Sequence, residues 1–147
     1  MKKIFLSCLL LVCCFGLFAC SSTPEAQDLY FEKGKYNFTI FDRTGDSIAA
    51  GTFDIKNVQG EDMSGTYIFN ELYQPSQLIT AKETKDMTGS ITSDKKQIFI
   101  NANPQMSDNN IFLRITAGLF SYRGEWKYST YVGTIDQGTI KAYRYSD

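Results

Sequence analysis

The chain has 147 residues, 43% hydrophobic and 21% charged, with 15 Lys+Arg, 16 Asp+Glu and no His. The near-zero charge argues against a nucleic-acid partner, which needs an excess of Lys and Arg gathered on one face. The lack of His removes the usual general base near neutral pH and the commonest zinc ligand, and no cofactor is implied.

Lys2 and Lys3 precede an apolar run from Ile4 to Phe18. Such a run is short for a transmembrane helix and suits the core of a signal peptide. It ends in Leu17-Phe18-Ala19-Cys20, followed by Ser21-Ser22-Thr23-Pro24. This resembles the lipobox of bacterial lipoproteins. The resemblance implies that residues 1–19 are cleaved away and that Cys20 is diacylated on sulfur, often with a further acyl group on its new amine. It also implies a place in the cell envelope. In Gram-negative lipoproteins an Asp after the Cys commonly retains the protein at the inner membrane. Ser21 resembles the outer-membrane class, on the periplasmic side.

Cys8, Cys13 and Cys14 lie inside the apolar run as small hydrophobes. Cleavage would therefore leave neither a disulfide nor a cysteine nucleophile. Removing 19 of the 147 residues leaves 128, and losing Lys2 and Lys3 moves the formal charge from −1 to −3. A domain of that size buries roughly two thirds of its unfolded surface. Two or three acyl chains, at ~0.8 kcal/mol per buried CH₂, hold a protein on a membrane. No later apolar run approaches spanning length, so the expectation is a protein anchored to the membrane through Cys20.

Residues 20–33 read as the acylated Cys and a polar tether, with Pro24, Glu25, Gln27 and Asp28. A flexible coil from Ser21 to Lys33 would reach ~20 Å on average. Leu29-Tyr30-Phe31 is the exception and is expected to dock on the domain as a short cap.

Residues 34–147 form the expected domain, and their pattern has period two. Alternating apolar positions occur at Tyr36-Phe38-Ile40, Ala49-Gly51-Phe53-Ile55, Met63-Gly65-Tyr67-Phe69 and Met87-Gly89-Ile91. They recur at Ile98-Ile100-Ala102, Ile111-Leu113-Ile115, in the run Gly118 to Tyr128, and at Gly138-Ile140-Ala142. Each reads as a strand with one buried and one wet face. The breaks carry turn residues, as in Asp42-Arg43-Thr44-Gly45-Asp46 and Ser93-Asp94-Lys95-Lys96. Residues 71–86 are ambiguous, with Gln77 to Lys82 open to strand or loop. The prediction is all-β: an eight-stranded antiparallel up-and-down meander closed into a barrel.

Eight of the ten glycines after residue 20 are followed two positions later by a large apolar residue. A two-residue step keeps both on one face. An inward Gly lets a strand coil sharply and leaves room for a neighbouring ring. Gly34-Lys35-Tyr36 near the start and Arg144 near the end resemble the calycin barrels of lipocalin and avidin type. Those carry Gly-x-Trp on the first strand and often a basic residue on the last strand that packs over the Trp. The resemblance implies a small barrel with Tyr36 and Arg144 at its interior.

The expected inward set holds Tyr36, Phe38, Phe53, Tyr67, Phe69, Phe120, Tyr122, Trp126 and Tyr128. Small eight-stranded barrels either fill with their own side chains or hold one small ligand. Aromatic side chains bury roughly 150–250 Å² each, enough for such a set to fill a small barrel. Ile98-Phe99-Ile100 and Ile111-Phe112-Leu113 are apolar on both faces. This places Phe99 and Phe112 on the outside, on adjacent strands, as a candidate partner patch or a surface covered by Leu29 to Phe31.

Catalytic constellations are weak. Ser93-x-x-Lys96 matches a penicillin-recognising motif in spacing but falls in a hairpin turn. Asp42, Thr44 and Asp46 begin a calcium-loop spacing but lack its later Gly and Glu. The functional expectation is non-catalytic binding or structural association in the envelope, with an envelope protein as partner. The alternatives are carriage of a small apolar ligand, or inhibition of an envelope-attacking enzyme through the loop Ala102 to Asn110.

Overall fold

A computed structural model describes residues 28–73, 83–106 and 108–145. The signal-like segment, Cys20 and the ambiguous stretch Gln77 to Lys82 lie outside the described residues. The strands are β1 (Gly34–Phe41), β2 (Ser47–Gln59), β3 (Asp62–Leu72) and β4 (Lys85–Ile91). They continue with β5 (Gln97–Asn101), β6 (Asn109–Ala117), β7 (Tyr122–Thr130) and β8 (Gly133–Arg144). Each pairs antiparallel with the next, and β8 returns to β1, so the sheet is a closed eight-stranded meander barrel. Among the described residues no helix is long and apolar enough to cross a membrane.

The period-two pattern works because alternate side chains enter the barrel. Tyr36, Phe38 and Ile40 of β1 are buried, as are Tyr122, Trp126 and Tyr128 of β7, while Arg123, Glu125 and Lys127 are exposed. Closure needs more than alternation, because strands must coil tightly around so small a circumference. Five inward positions carry Gly: 51, 65, 89, 124 and 138. A β-carbon at any of them would fall 1.8–2.2 Å from a carbonyl oxygen of the adjacent strand. At Gly138 that oxygen belongs to Phe41, which also accepts the indole N–H of Trp126 at 2.7 Å. The large ring thus lies over a position with no side chain and satisfies a carbonyl at the end of the β1–β8 ladder.

Closure is completed by the register Tyr36↔Arg144 through Phe41↔Thr139. Connections β2–β3, β4–β5 and β6–β7 lie at the end where the described chain enters, here the N-terminal end. Connections β1–β2, β5–β6 and β7–β8 lie at the opposite end.

One sequence expectation is corrected here. Phe120 shares the parity of Tyr122 but is 79% exposed. It sits in the β6–β7 turn, where the Gly118 N–H donates to the Ser121 carbonyl, so the strand phase does not reach it. Leu29 to Phe31 dock on the barrel as a cap, and Phe31 is wholly buried within its core.

Trp126 is the only tryptophan and is 1% exposed. Trp126→Ala should cost about 3–5 kcal/mol, as for other buried aromatics. Urea unfolding followed by circular dichroism measures it, and a loss well under 1 kcal/mol would contradict the packing described.

Candidate functional site

The barrel interior is a chain of rings. Tyr36 stacks on Phe53 with centroids 5.0 Å apart, Phe53 meets Phe38 at 6.0 Å, and Phe38 meets Phe69 edge-on at 5.4 Å. Phe69 meets Tyr67 edge-on at 5.8 Å. These are stacked, tilted and edge geometries at the centroid separations that aromatic pairs favour. Tyr36, Phe53, Tyr67, Trp126 and Tyr128 are all buried, so the candidate interior residues are core side chains here.

Arg144 is the exception, and its side chain does not take the interior place that the calycin resemblance implied. It is paired with Tyr36 in the ladder, yet its side chain is 48% exposed. The wall ends at this residue. Its guanidinium turns outward to the Glu32 carboxylate at 2.7 Å and approaches the Lys33 carbonyl at 3.5 Å.

The N-terminal end is sealed by residues 28–33. Phe31 packs against Tyr122 at 4.7 Å and Tyr36 at 5.7 Å. An apolar ring can enter the barrel only if the backbone on both sides finds hydrogen bonds. The Phe31 N–H donates to the Lys95 carbonyl at 2.9 Å. The Tyr122 hydroxyl donates to the Tyr30 carbonyl at 2.9 Å. The Tyr36 hydroxyl accepts from the Glu32 N–H at 2.9 Å and donates to the Glu32 carbonyl at 3.0 Å. Lys96 closes the rim, with its ammonium 3.2 Å from Asp28 and 4.1 Å above the Tyr30 ring. The sequence reading anticipated the cap but not the two tyrosine hydroxyls that hold it. The alternation marked both tyrosines as inward, but gave no sign that Tyr36 would turn its hydroxyl to Glu32 four residues before it or that Tyr122 would reach Tyr30, 92 residues away.

Burial disfavours ionisation of both phenols and so raises their pKa. The Tyr122 hydroxyl is pushed up to about 12, mainly by burial and then by its neighbour Tyr36. Tyr36 is also raised by burial, opposed by its bonds to the Glu32 backbone.

Outside the barrel, Phe99 and Phe112 lie on adjacent strands and face away from its axis. Phe99 is 39% exposed and Phe112 is half-buried. They are not directly opposite. Phe99 pairs with Arg114 and Phe112 with Asn101, so the two rings meet on the diagonal. They stack at 5.6 Å with planes 18° apart, a reach that long side chains allow across a diagonal pair. A shallow groove beside Phe99 is lined by Ser90, Thr92, Gln97, Ile98 and Arg114. Leu29 to Phe31 covers the barrel end rather than this patch.

The motifs considered for chemistry are structural. The Asp42 carboxylate accepts from the Thr44 hydroxyl at 2.7 Å and from the backbone N–H groups of Thr44 and Asp46. The Thr44 bond is the first cause holding its carboxyl below the usual value. Lys96 of the Ser93-x-x-Lys96 spacing is engaged by Asp28 and Tyr30. Among the described residues no group of three His, Cys, Asp or Glu could hold a metal ion. In the Ala102 to Asn110 loop, Ala102 and Asn110 are buried and the Asn103 side chain donates to the Asn109 carbonyl.

Comparison with known proteins returns no matching family model, no matching curated protein and no matching solved structure.

The two phenols make alkaline stability a readout of the seal. For Tyr122 the folded state keeps a proton up to about 12 that the unfolded chain loses near 10.0, so folding weakens as pH rises between those values. Tyr122→Phe should cost about 1 kcal/mol at neutral pH through the lost bond to Tyr30, and should flatten that alkaline slope. Urea midpoints below pH 10 and toward pH 12 test this; an unchanged slope would show that the hydroxyl does not titrate in the seal.

Proposed function

We propose that the protein is a lipid-anchored envelope protein that acts without catalysis, by binding another envelope protein through the outer face of β5 and β6. The observation that carries the binding reading is the outward Phe99–Phe112 stack. Two phenylalanines on the wet face of a barrel wall serve no closure role, and aromatic groups with adjacent Arg are enriched where proteins meet. Arg114 and Lys127 occupy the ladder positions beside the two rings. A partner combining an apolar spot with acidic groups would suit that surface. The chain of rings inside the barrel supports this reading over carriage of a small apolar ligand.

The anchoring part rests on the lipobox-like Leu17-Phe18-Ala19-Cys20. Its thiol is the only acyl acceptor at the expected cleavage point. In an envelope with two membranes, Ser21 supports the outer one. Cys20→Ala should leave the chain soluble or unprocessed, as read by membrane fractionation and intact mass. Equal membrane retention of a processed variant would defeat the anchoring reading.

The binding part is tested by Phe99→Ser combined with Phe112→Ser, compared with the parent chain in pull-downs from detergent-solubilised envelopes. The expected outcome is a closely similar circular dichroism spectrum with loss of the bound species. A lowered melting temperature with bound species retained would make the stack part of the fold instead.

A further inference from the structure

The end sealed by Phe31 carries a second exposed apolar feature. The β6–β7 turn presents Leu119 and Phe120, which are 52% and 79% exposed. Both belong to a turn closed by the Gly118–Ser121 bond, so their side chains project from the end of the barrel rather than into it. The turn adjoins the seal. The Ala117 N–H donates to the Lys96 carbonyl, and Lys95, one residue before, accepts from Phe31. Tyr30 on the seal is also exposed, and Lys95 and Arg123 flank the turn.

The chain preceding the barrel reaches this same end. Asp28 is held there by Lys96. Cys20 lies eight residues before Asp28. Fully extended, eight residues span at most ~29 Å, less than the thickness of one bilayer with its headgroups, about 40–45 Å. An acylated Cys20 would therefore attach the barrel to the lipid by this end and hold that end within this reach of it.

We propose that the N-terminal end of the barrel rests on the bilayer surface, with Leu119 and Phe120 entering the headgroup layer as a second, non-covalent contact. The proposal rests on the anchoring reading for its geometry. The chemistry fits a lipid interface: an aromatic and an aliphatic side chain at a loop tip, with Tyr30 beside them at headgroup depth and Lys95 and Arg123 able to reach phosphates. The contact would give the barrel a fixed direction. The β7–β8 turn, with exposed Tyr131 and Val132, would point away from the membrane.

The test uses the full chain, purified in detergent and reconstituted into vesicles of phosphatidylethanolamine and phosphatidylglycerol. A polarity-sensitive fluorophore is attached to Phe120→Cys or to Tyr131→Cys, and lipids carrying a spin-label quencher report depth. The expected result is a blue shift and loss of emission at position 120, with position 131 remaining in water. Equal emission at both positions, or quenching only at 131, would overturn the proposal. So would shielding of position 120 that appears on cross-linking to a protein and not with quencher lipids. Intact mass of the same sample reads acylation of Cys20 separately. An unacylated chain defeats the anchoring reading; with Cys8, Cys13, Cys14 and Cys20 then replaced by Ser, so that position 120 carries the only label, that chain added to the vesicles still reports insertion. Leu119→Ser with Phe120→Ser supplies a control that should keep the barrel spectrum and shift a probe at Arg123→Cys toward water.

Discussion

On five strands of this barrel a neighbouring carbonyl oxygen occupies the space that a β-carbon would need. Gly124 faces the Arg114 oxygen and Gly65 that of Asp54, each with under 2 Å to spare for an added carbon. Real β-carbons do not approach oxygen so closely, so these residues decide how tightly the sheet can coil. The tight coil brings β8 against β1 and lets every strand find two neighbours. It also narrows the interior until rings two strands apart touch, as Phe38 does Phe69 and Tyr36 does Tyr122. Closure, the filled core and the absence of an open edge between β1 and β8 share this one steric cause.

A narrow barrel still has two ends, and the N-terminal one shows how an opening can be closed with few residues. A single ring, Phe31, enters the core, and the backbone on either side is met by Tyr122, Lys95 and Tyr36. The phenols serve twice, as rings in the packed column and as hydrogen-bond partners for the chain above them. Arg144 and Glu32 then tie the last strand to the seal at the rim. The Tyr122–Tyr30 and Arg144–Glu32 contacts join residues 92 and 112 positions apart in the chain.

That separation explains what could be read from the sequence. Strand positions and the inward phase of Tyr36, Phe53, Tyr67, Trp126 and Tyr128 were legible, because alternation is a local consequence of the pleat. The outward phase of Phe99 and Phe112 was legible for the same reason, though their diagonal offset was not, since register depends on how strands pair. Phe120 and Arg144 mark where parity stops carrying information. One lies in a turn and the other at the last residue of the wall, and both side chains leave the face that counting assigns them. The seal was legible only as an apolar triplet in a polar stretch. Its partners Tyr122 and Lys95 are supplied by a distant strand and by the β4–β5 turn. The surface proposed for a partner was legible in Ile98-Phe99-Ile100 and Ile111-Phe112-Leu113, which are apolar on both faces, whereas the exposure of Leu119 and Phe120 emerges only when the β6–β7 turn is placed.

The pairing of the first strand with the last also has a consequence for how the molecule is made. A chain delivered from its N-terminal end can form the successive hairpins β1–β2 through β6–β7 as each is completed, because those contacts are close in sequence. It cannot finish the barrel until residues 139–144 are free to reach residues 36–41. Until then β1 and β7 are bare edges, able to recruit other strands. Long-range closures of this kind are slow steps in β proteins, and unpaired edges invite association with other chains. Nascent chains that stop before β8 should therefore be especially dependent on holding chaperones, and the rate at which the final dozen residues are released sets how long that exposure lasts.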